Sequence, residues 1–118
     1  MKLSVLVVDD EVLIRKSLSK VLRARGYAVE LASTGKEGLQ KATELRPQVM
    51  ILDMRLPDTD GIELLRRIRV SHPDLPVIIT TAYLSIEPQL KVLDLPHSGY
   101  IVKPFRLDEL GARIDAVL

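Results

Sequence analysis

The chain has 118 residues, 17 basic and 16 acidic side chains, a formal net charge of +1 and no Cys or Trp, a length that suits one domain burying roughly two thirds of its unfolded surface. The missing thiols exclude cysteine catalysis, iron–sulfur clusters and Cys-ligated zinc, and they fit a reducing cytoplasm. Near-neutral charge and only 3% aromatic residues argue against direct nucleic-acid binding, and no apolar run exceeds four residues, far short of a membrane span.

Residues 2–8 (KLSVLVV) form the first β-branched, apolar run, which Asp9 and Asp10 interrupt too early for a signal peptide. Residues 11–25 then carry Ile14, Leu18, Val21 and Leu22 at helical spacing, with Gly26 where a C-terminal cap belongs. Ala28–Ala32 alternates around Glu30, which suits an edge strand. Thr34-Gly35-Lys36-Glu37 matches a capping box, and its helix should run to Leu45 before Pro47 stops it. A third strand is expected at 49–52 (VMIL). Asp60-Gly61-Ile62-Glu63 opens the next helix, with Ile62, Leu65 and Ile68 on its apolar face. Val77–Thr81 is the fourth strand; the first, third and fourth read as buried on both faces. Residues 85–97 hold Pro88 and Pro96 and predict about two helical turns. Gly99–Val102 is the fifth strand, and Leu107, Leu110, Ile114 and Val117 mark the last helix. Alternating strands and helices predict a parallel sheet covered by helices on both faces.

Ligands of such sheets bind beyond the carboxyl ends of the strands. Asp9 and Asp10 follow the first strand, Asp53 the third, Thr81 closes the fourth and Lys103 follows the fifth. Taken singly, Asp9 and Asp10 could cap a helix and Asp53 could be a loop acid. Taken together, clustered charges need partners. Two carboxylates about 4 Å apart repel by about 4 kcal/mol at an effective dielectric near 20. Lys103 leaves the three acids with a local charge of −2, which a divalent cation cancels. Oxygen ligands without His or Cys favour Mg²⁺ or Mn²⁺, and a carboxylate beside a cation, a hydroxyl and an ammonium suits phosphoryl transfer.

Val7-Val8-Asp9-Asp10-Glu11, Ile51-Leu52-Asp53-Met54-Arg55-Leu56-Pro57, Asp60-Gly61, Thr81-Ala82 and Lys103-Pro104-Phe105 together resemble a response-regulator receiver domain of two-component signalling, across essentially the whole chain (1–118). The resemblance implies a CheY-like, flavodoxin-like doubly wound α/β fold with five parallel strands in order 2-1-3-4-5. It makes Asp53 the phosphoacceptor for a sensor histidine kinase. Asp9, Asp10, Asp53 and the backbone carbonyl of Arg55 would bind Mg²⁺ (or Mn²⁺), with Asp9 acting directly or through water. Lys103, Thr81 and Ala82 would meet the phosphoryl group, with Thr80 as the rival hydroxyl, and Tyr100 would turn inward as Thr81 moves. Arg55 and Tyr83 match positions that tune phosphoryl lifetime, though both also read as solvated loop residues. Lys103-Pro104 would be a cis peptide.

The implied output is a downstream effector domain or protein reached through strand five and the last helix; that face, with the preceding helix, also allows a homodimer. No direct nucleic-acid or membrane contact is expected, the location is cytoplasmic, and the chemistry is self-modification rather than enzymatic turnover. A phosphorylation-independent interaction module and an Asp-nucleophile phosphatase are the alternatives, the latter weakened because its Asp-x-Asp signature is absent after the first strand. An FMN protein shares the sheet, but Asp9-Asp10 would repel its phosphate. Leu95-Pro96-His97 departs from the family's small-residue turn. His97 reads as a surface turn, His72 as a helix end, and Tyr27 and Phe105 as core. Arg66, Arg67 and Arg69 read as one solvated face. Both a stand-alone receiver and the N-terminal part of a longer regulator fit.

Overall fold

Parallel pairing of the apolar runs organises the chain. The computed structural model describes residues 2–82 and 96–118. In chain order these form β1 (Ser4–Val8), α1 (Val12–Ala24), β2 (Ala28–Ala32), α2 (Gly35–Leu45), β3 (Val49–Asp53), α3 (Gly61–Ser71), β4 (Val77–Thr81), β5 (Gly99–Val102) and a helix we label α4 (Leu107–Val117). The strands make one parallel sheet in the order β2-β1-β3-β4-β5. Tyr83, Pro88, Leu95 and most of the expected 85–97 helix lie outside the described residues.

Side chains alternate across the sheet, and two cores result. Leu6, Val8, Met50, Leu52, Val77 and Ile79 pack with Ala42 of α2 and Leu64, Leu65 and Ile68 of α3. Val5, Val7, Val49, Ile51, Ile78 and Ile101 pack on the opposite face with Leu18 and Leu22 of α1 and Leu110 and Ile114 of α4. This two-sided cover explains why β1, β3 and β4 are almost wholly buried, whereas edge strand β2 exposes Glu30. Gly38 lets α2 sit close on β1, since a Cβ there would fall 2.9 Å from Val8 Cγ2.

Local signals set the boundaries. Gly26 adopts φ +95°, and the bonds from its N–H to the Arg23 carbonyl and from Tyr27 N–H to the Leu22 carbonyl close α1 as a Schellman turn. Thr34 Oγ1 accepts Glu37 N–H at 3.1 Å at the start of α2, while Glu37 Oε1 returns to Ser33 N–H at 2.9 Å. Asp60 Oδ1 accepts Glu63 N–H at 2.8 Å at the start of α3. Four boundaries differ from expectation. β1 begins at Ser4, because its partner ladder starts at Ala28 after the turn that ends α1. β3 extends through Asp53, which pairs with Thr80. Helix α1 is one residue shorter at each end, Glu11 and Arg25 being its caps.

The arginine cluster of α3 also divides. Arg66 and Arg67 are exposed and pair with Glu63. Arg69 instead donates to the carbonyls of Leu75 at 2.6 Å, Pro96 at 2.8 Å, His72 at 3.1 Å and Pro73 at 3.4 Å. It fastens the end of α3 to the segments entering β4 and β5, so the solvated-face reading fails for Arg69. His72 caps α3, and His97 is half-buried, its Nδ1 accepting Gly99 N–H at 3.1 Å.

Candidate functional site

Strand order places the acids together. β1 lies between β2 and β3, so the chain's direction of progress across the sheet reverses beside β1, opening a crevice at the carboxyl ends of β1 and β3. Val8 and Leu52 are in register there, which brings the succeeding Asp9 and Asp53 side by side. Both are buried, at 2% and 4% exposure, while Asp10 is exposed. One carboxylate oxygen from each of Asp9, Asp10 and Asp53 can be chosen so that all lie within 4.8 Å of one another.

Lys103 enters from beyond β5. Its Nζ lies 3.0 Å from Asp9 Oδ2, 3.3 Å from Asp53 Oδ2 and 3.3 Å from Glu11 Oε1. Its backbone N–H donates to the Thr81 carbonyl at 2.7 Å, and the following Lys103-Pro104 peptide is cis. The remaining oxygens are also held in place. Asp9 Oδ1 accepts Glu11 N–H at 2.9 Å, and Asp53 Oδ1 accepts Arg55 N–H at 3.2 Å. Asp9 therefore holds the turn before α1 without capping the helix, whose N-cap is Glu11 and has no side-chain cap bond, and it faces the lysine as well.

These groups border a cavity of about 200 Å³ whose wall includes Asp10, Asp53, Arg55, Thr81, Ala82 and Lys103. Both threonines are buried. Thr81 lines the cavity, whereas Thr80 does not, and the Thr80 hydroxyl has no hydrogen-bond partner among the described residues. Tyr100 is half-buried and packs on the α2–α3 side of the sheet, and Phe105 on the α1–α4 side. Tyr83 lies outside the described residues. The wider groove between α2 and α3, about 770 Å³, brings together no comparable cluster of acids among the described residues.

The electrostatics follow from burial. Loss of water, then the charge of Asp9, pushes the Asp53 carboxyl above the usual carboxylate range; Arg55 N–H and Lys103 oppose this without cancelling it. Burial also works against the Lys103 charge, but the hydrogen bond to Asp9 and the charges of Asp53 and Asp9 outweigh it and hold the ammonium above its ordinary value. Lys103 is the cation paired with Asp9, Asp53 and Glu11, and with Asp10 these five groups sum to −3 if all are ionised. Converging hard oxygens with excess negative charge fit a small divalent cation.

Sequence reasoning missed three contributors. Glu11 was legible only as the residue after the paired acids, but the first turn toward α1 swings it to Lys103. Arg15, one turn into α1, donates to the Asp9 carbonyl at 2.7 Å. Asp58 reaches from the β3–α3 loop to the start of α2, through bonds to Gly35 and Lys36 N–H. None of these contacts has a signal in local spacing alone.

Comparison with known proteins agrees with this arrangement. The family model for the response regulator receiver domain matches residues 5–115. The chain is 41% identical over 118 residues to the response regulator MprA of Mycolicibacterium vanbaalenii, covering 100% of this chain and 51% of that protein. MprA of Mycobacterium leprae is 41% identical over 114 residues, covering 97% and 50%. The chain therefore spans about half the length of these curated relatives. A CheY-like receiver domain from Methanospirillum hungatei superposes with a TM-score of 0.91 at 33% identity, covering 98% of this chain and 93% of that one. The chemotaxis response regulator CheY4 of Vibrio cholerae gives 0.90 at 32% identity, with 100% of both chains covered. Sequence, strand order and structural likeness agree over nearly the whole chain, which belongs to the response-regulator receiver family of two-component signalling.

Proposed function

We propose that residues 1–118 form one receiver domain that accepts a phosphoryl group on Asp53 from a phosphohistidine of a sensor histidine kinase. The carrying observation is that Lys103 bridges the buried carboxylates of Asp9 and Asp53 at the rim of a cavity also lined by Thr81. In the proposed transfer, an Asp53 carboxylate oxygen forms a P–O bond as the donor P–N bond breaks, and the departing imidazole takes up a proton. Lys103 balances charge on the phosphoryl oxygens, and the Thr81 hydroxyl with the neighbouring Ala82 backbone contacts them. Asp9, Asp10, Asp53 and the Arg55 carbonyl would hold Mg²⁺ or Mn²⁺. When bound, the cation supplies compensation for charge on the carboxylates and transferred oxygens.

Movement of Thr81 toward the phosphoryl group would free space for Tyr100 to turn inward, changing the surface of β5 and α4 read by an effector domain or protein. The greater length of the MprA relatives supports an effector in the same polypeptide. The same face, with the segment before β5, would serve any homodimer. Arg55 and Tyr83 would tune hydrolysis by hindering water. The domain would modify only itself, turning over no external substrate, and it would work in the cytoplasm without direct nucleic-acid contact; among the described residues no helix is long and apolar enough to cross a membrane. Exposure to acetyl phosphate or beryllofluoride with and without Mg²⁺ tests this reading. A Mg²⁺-dependent response lost in Asp53→Asn supports it. No response in the wild type favours an interaction module, and turnover of a generic phosphate ester favours a hydrolase.

A further inference from the structure

The loop joining β3 to α3 supplies one wall of the cavity through Met54 and Arg55, and it is secured at two places. At its base, Gly61 N–H donates to the Met54 carbonyl at 2.8 Å, and Arg55 and Asp60 form an antiparallel bridge. At its tip, Asp58 turns to a different helix. Its Oδ1 accepts Gly35 N–H at 2.7 Å, and its Oδ2 accepts Lys36 N–H at 2.9 Å. These donors belong to the first turn of α2, where backbone N–H groups lack helical partners. Thr34 takes the N–H of Glu37, so Asp58 completes the end from outside the helix. The approach is close: a Cβ on Gly35 would lie 2.4 Å from Thr59 Cγ2 and 3.3 Å from Asp58 Oδ1.

We propose that Asp58 is a positioning residue for the cation site, clamping the 54–60 loop, and with it Arg55, to the start of α2. The inference rests on reading Asp9, Asp10, Asp53 and the Arg55 carbonyl as that site. Mg²⁺ requires near-ideal octahedral geometry with ligands at about 2.1 Å, so freedom in the loop bearing one ligand lowers affinity. Arg55 is three positions from Asp58, and its bridge partner Asp60 is two positions from it, so movement of the tip acts on both sides of the base. Linkage makes the effect reciprocal: if the clamp favours Mg²⁺, Mg²⁺ favours the clamp. Asp58 thereby connects occupancy of the acidic site to order at the start of α2.

The test is Mg²⁺ titration of the full chain by calorimetry, with thermal melts of each variant and amide exchange of Gly35 and Lys36. Asp58→Ala is expected to weaken Mg²⁺ binding about tenfold, the lower end of the range for groups that orient metal ligands. Asp58→Asn retains one acceptor and should lose less. Gly35→Ala pushes Thr59 away and crowds Asp58 Oδ1, so it should also weaken binding; adding Thr59→Ser removes the clashing methyl and should recover part of it. In the wild type, Mg²⁺ should slow exchange at Gly35 and Lys36. Folded Asp58→Ala with wild-type Mg²⁺ affinity overturns the inference, as does a lowered melting temperature with no change in affinity. If Asp58→Ala does not fold, the Gly35→Ala and Gly35→Ala/Thr59→Ser pair decides, and wild-type affinity in both overturns the clamp. A wild type that binds no Mg²⁺ overturns the cation-site reading itself, and the clamp with it.

Discussion

Replacing Asp53 by Asn should stabilise the metal-free protein, although it removes the proposed phosphoacceptor. With their carboxylate oxygens within 4.8 Å, Asp9 and Asp53 repel by at least about 3.5 kcal/mol at an effective dielectric near 20. Lys103, 3.3 Å from Asp53, returns about 5 kcal/mol on the same scale. These pair terms partly cancel, and burying a carboxylate at 4% exposure costs several kcal/mol more. The balance goes against the charged form, as the upward displacement of the Asp53 carboxyl requires. Asn keeps the shape while Lys103 retains Asp9 and Glu11. We expect a gain of about 1–2 kcal/mol, or about 4–8 °C in melting temperature for a domain of this size.

The pH dependence has a defined sign. A carboxyl with a raised folded-state value binds its proton more tightly when folded, so its stabilisation is complete below the unfolded value of about 4. That contribution disappears as pH rises through the folded value. Metal-free wild type should therefore lose its Asp53 contribution over this window, and Asp53→Asn should lack it. Melts monitored by circular dichroism in excess chelator, across acidic to neutral pH, measure both effects. A variant less stable than wild type near neutral pH, or one with the same pH slope, refutes the reasoning.

Alkaline absorbance titration should find Tyr27 ionising at about 12, because burial, then its hydrogen bond to Asp115 and that residue's charge, disfavour the phenolate. Tyr27→Phe should remove that transition, and the stability associated with Tyr27 in the wild type should fade as pH rises from about 10 toward about 12; an ordinary Tyr27 value contradicts this. Gly26→Ala should cost about 1–2 kcal/mol in urea denaturation, since φ is +95° while the added Cβ meets nothing within 4 Å. No loss would show that the backbone relaxes without strain. Arg69→Lys should cost about 2 kcal/mol by breaking its multiple carbonyl contacts, against less than about 0.5 kcal/mol for Arg66→Ala. Equal costs would mean that the Arg69 contacts contribute no more than a surface pair.

The strands were legible because a sheet buried on both faces leaves apolar runs with abrupt polar ends. Val77–Thr81 and Gly99–Val102 lie where their patterns placed them. Capping chemistry similarly located the starts of α2 and α3, and Gly26 marked the end of α1. The juxtaposition of Asp9, Asp10, Asp53 and Lys103 was also legible, because parallel strands deliver their carboxyl ends to one edge. Long-range contacts of extended side chains were not. Arg69 shares the composition of Arg66 and Arg67, yet helical rotation turns it toward backbone carbonyls around β4 and β5. Asp58 looks like an ordinary turn residue until α2 is placed beside the loop. Glu11 becomes part of the site only when Lys103, 92 positions away, is folded against it.

Chemical mapping of the phosphoryl group tests the central claim most directly. Wild-type protein would be treated with acetyl phosphate and Mg²⁺, trapped with borohydride and digested, with Asp53→Asn and a chelated sample in parallel. We predict reduction of the acyl phosphate at Asp53 in the wild type with Mg²⁺, and no trapped product at that position in either control. Trapping at another carboxylate in the wild type, or equal trapping with and without Mg²⁺, would contradict the account.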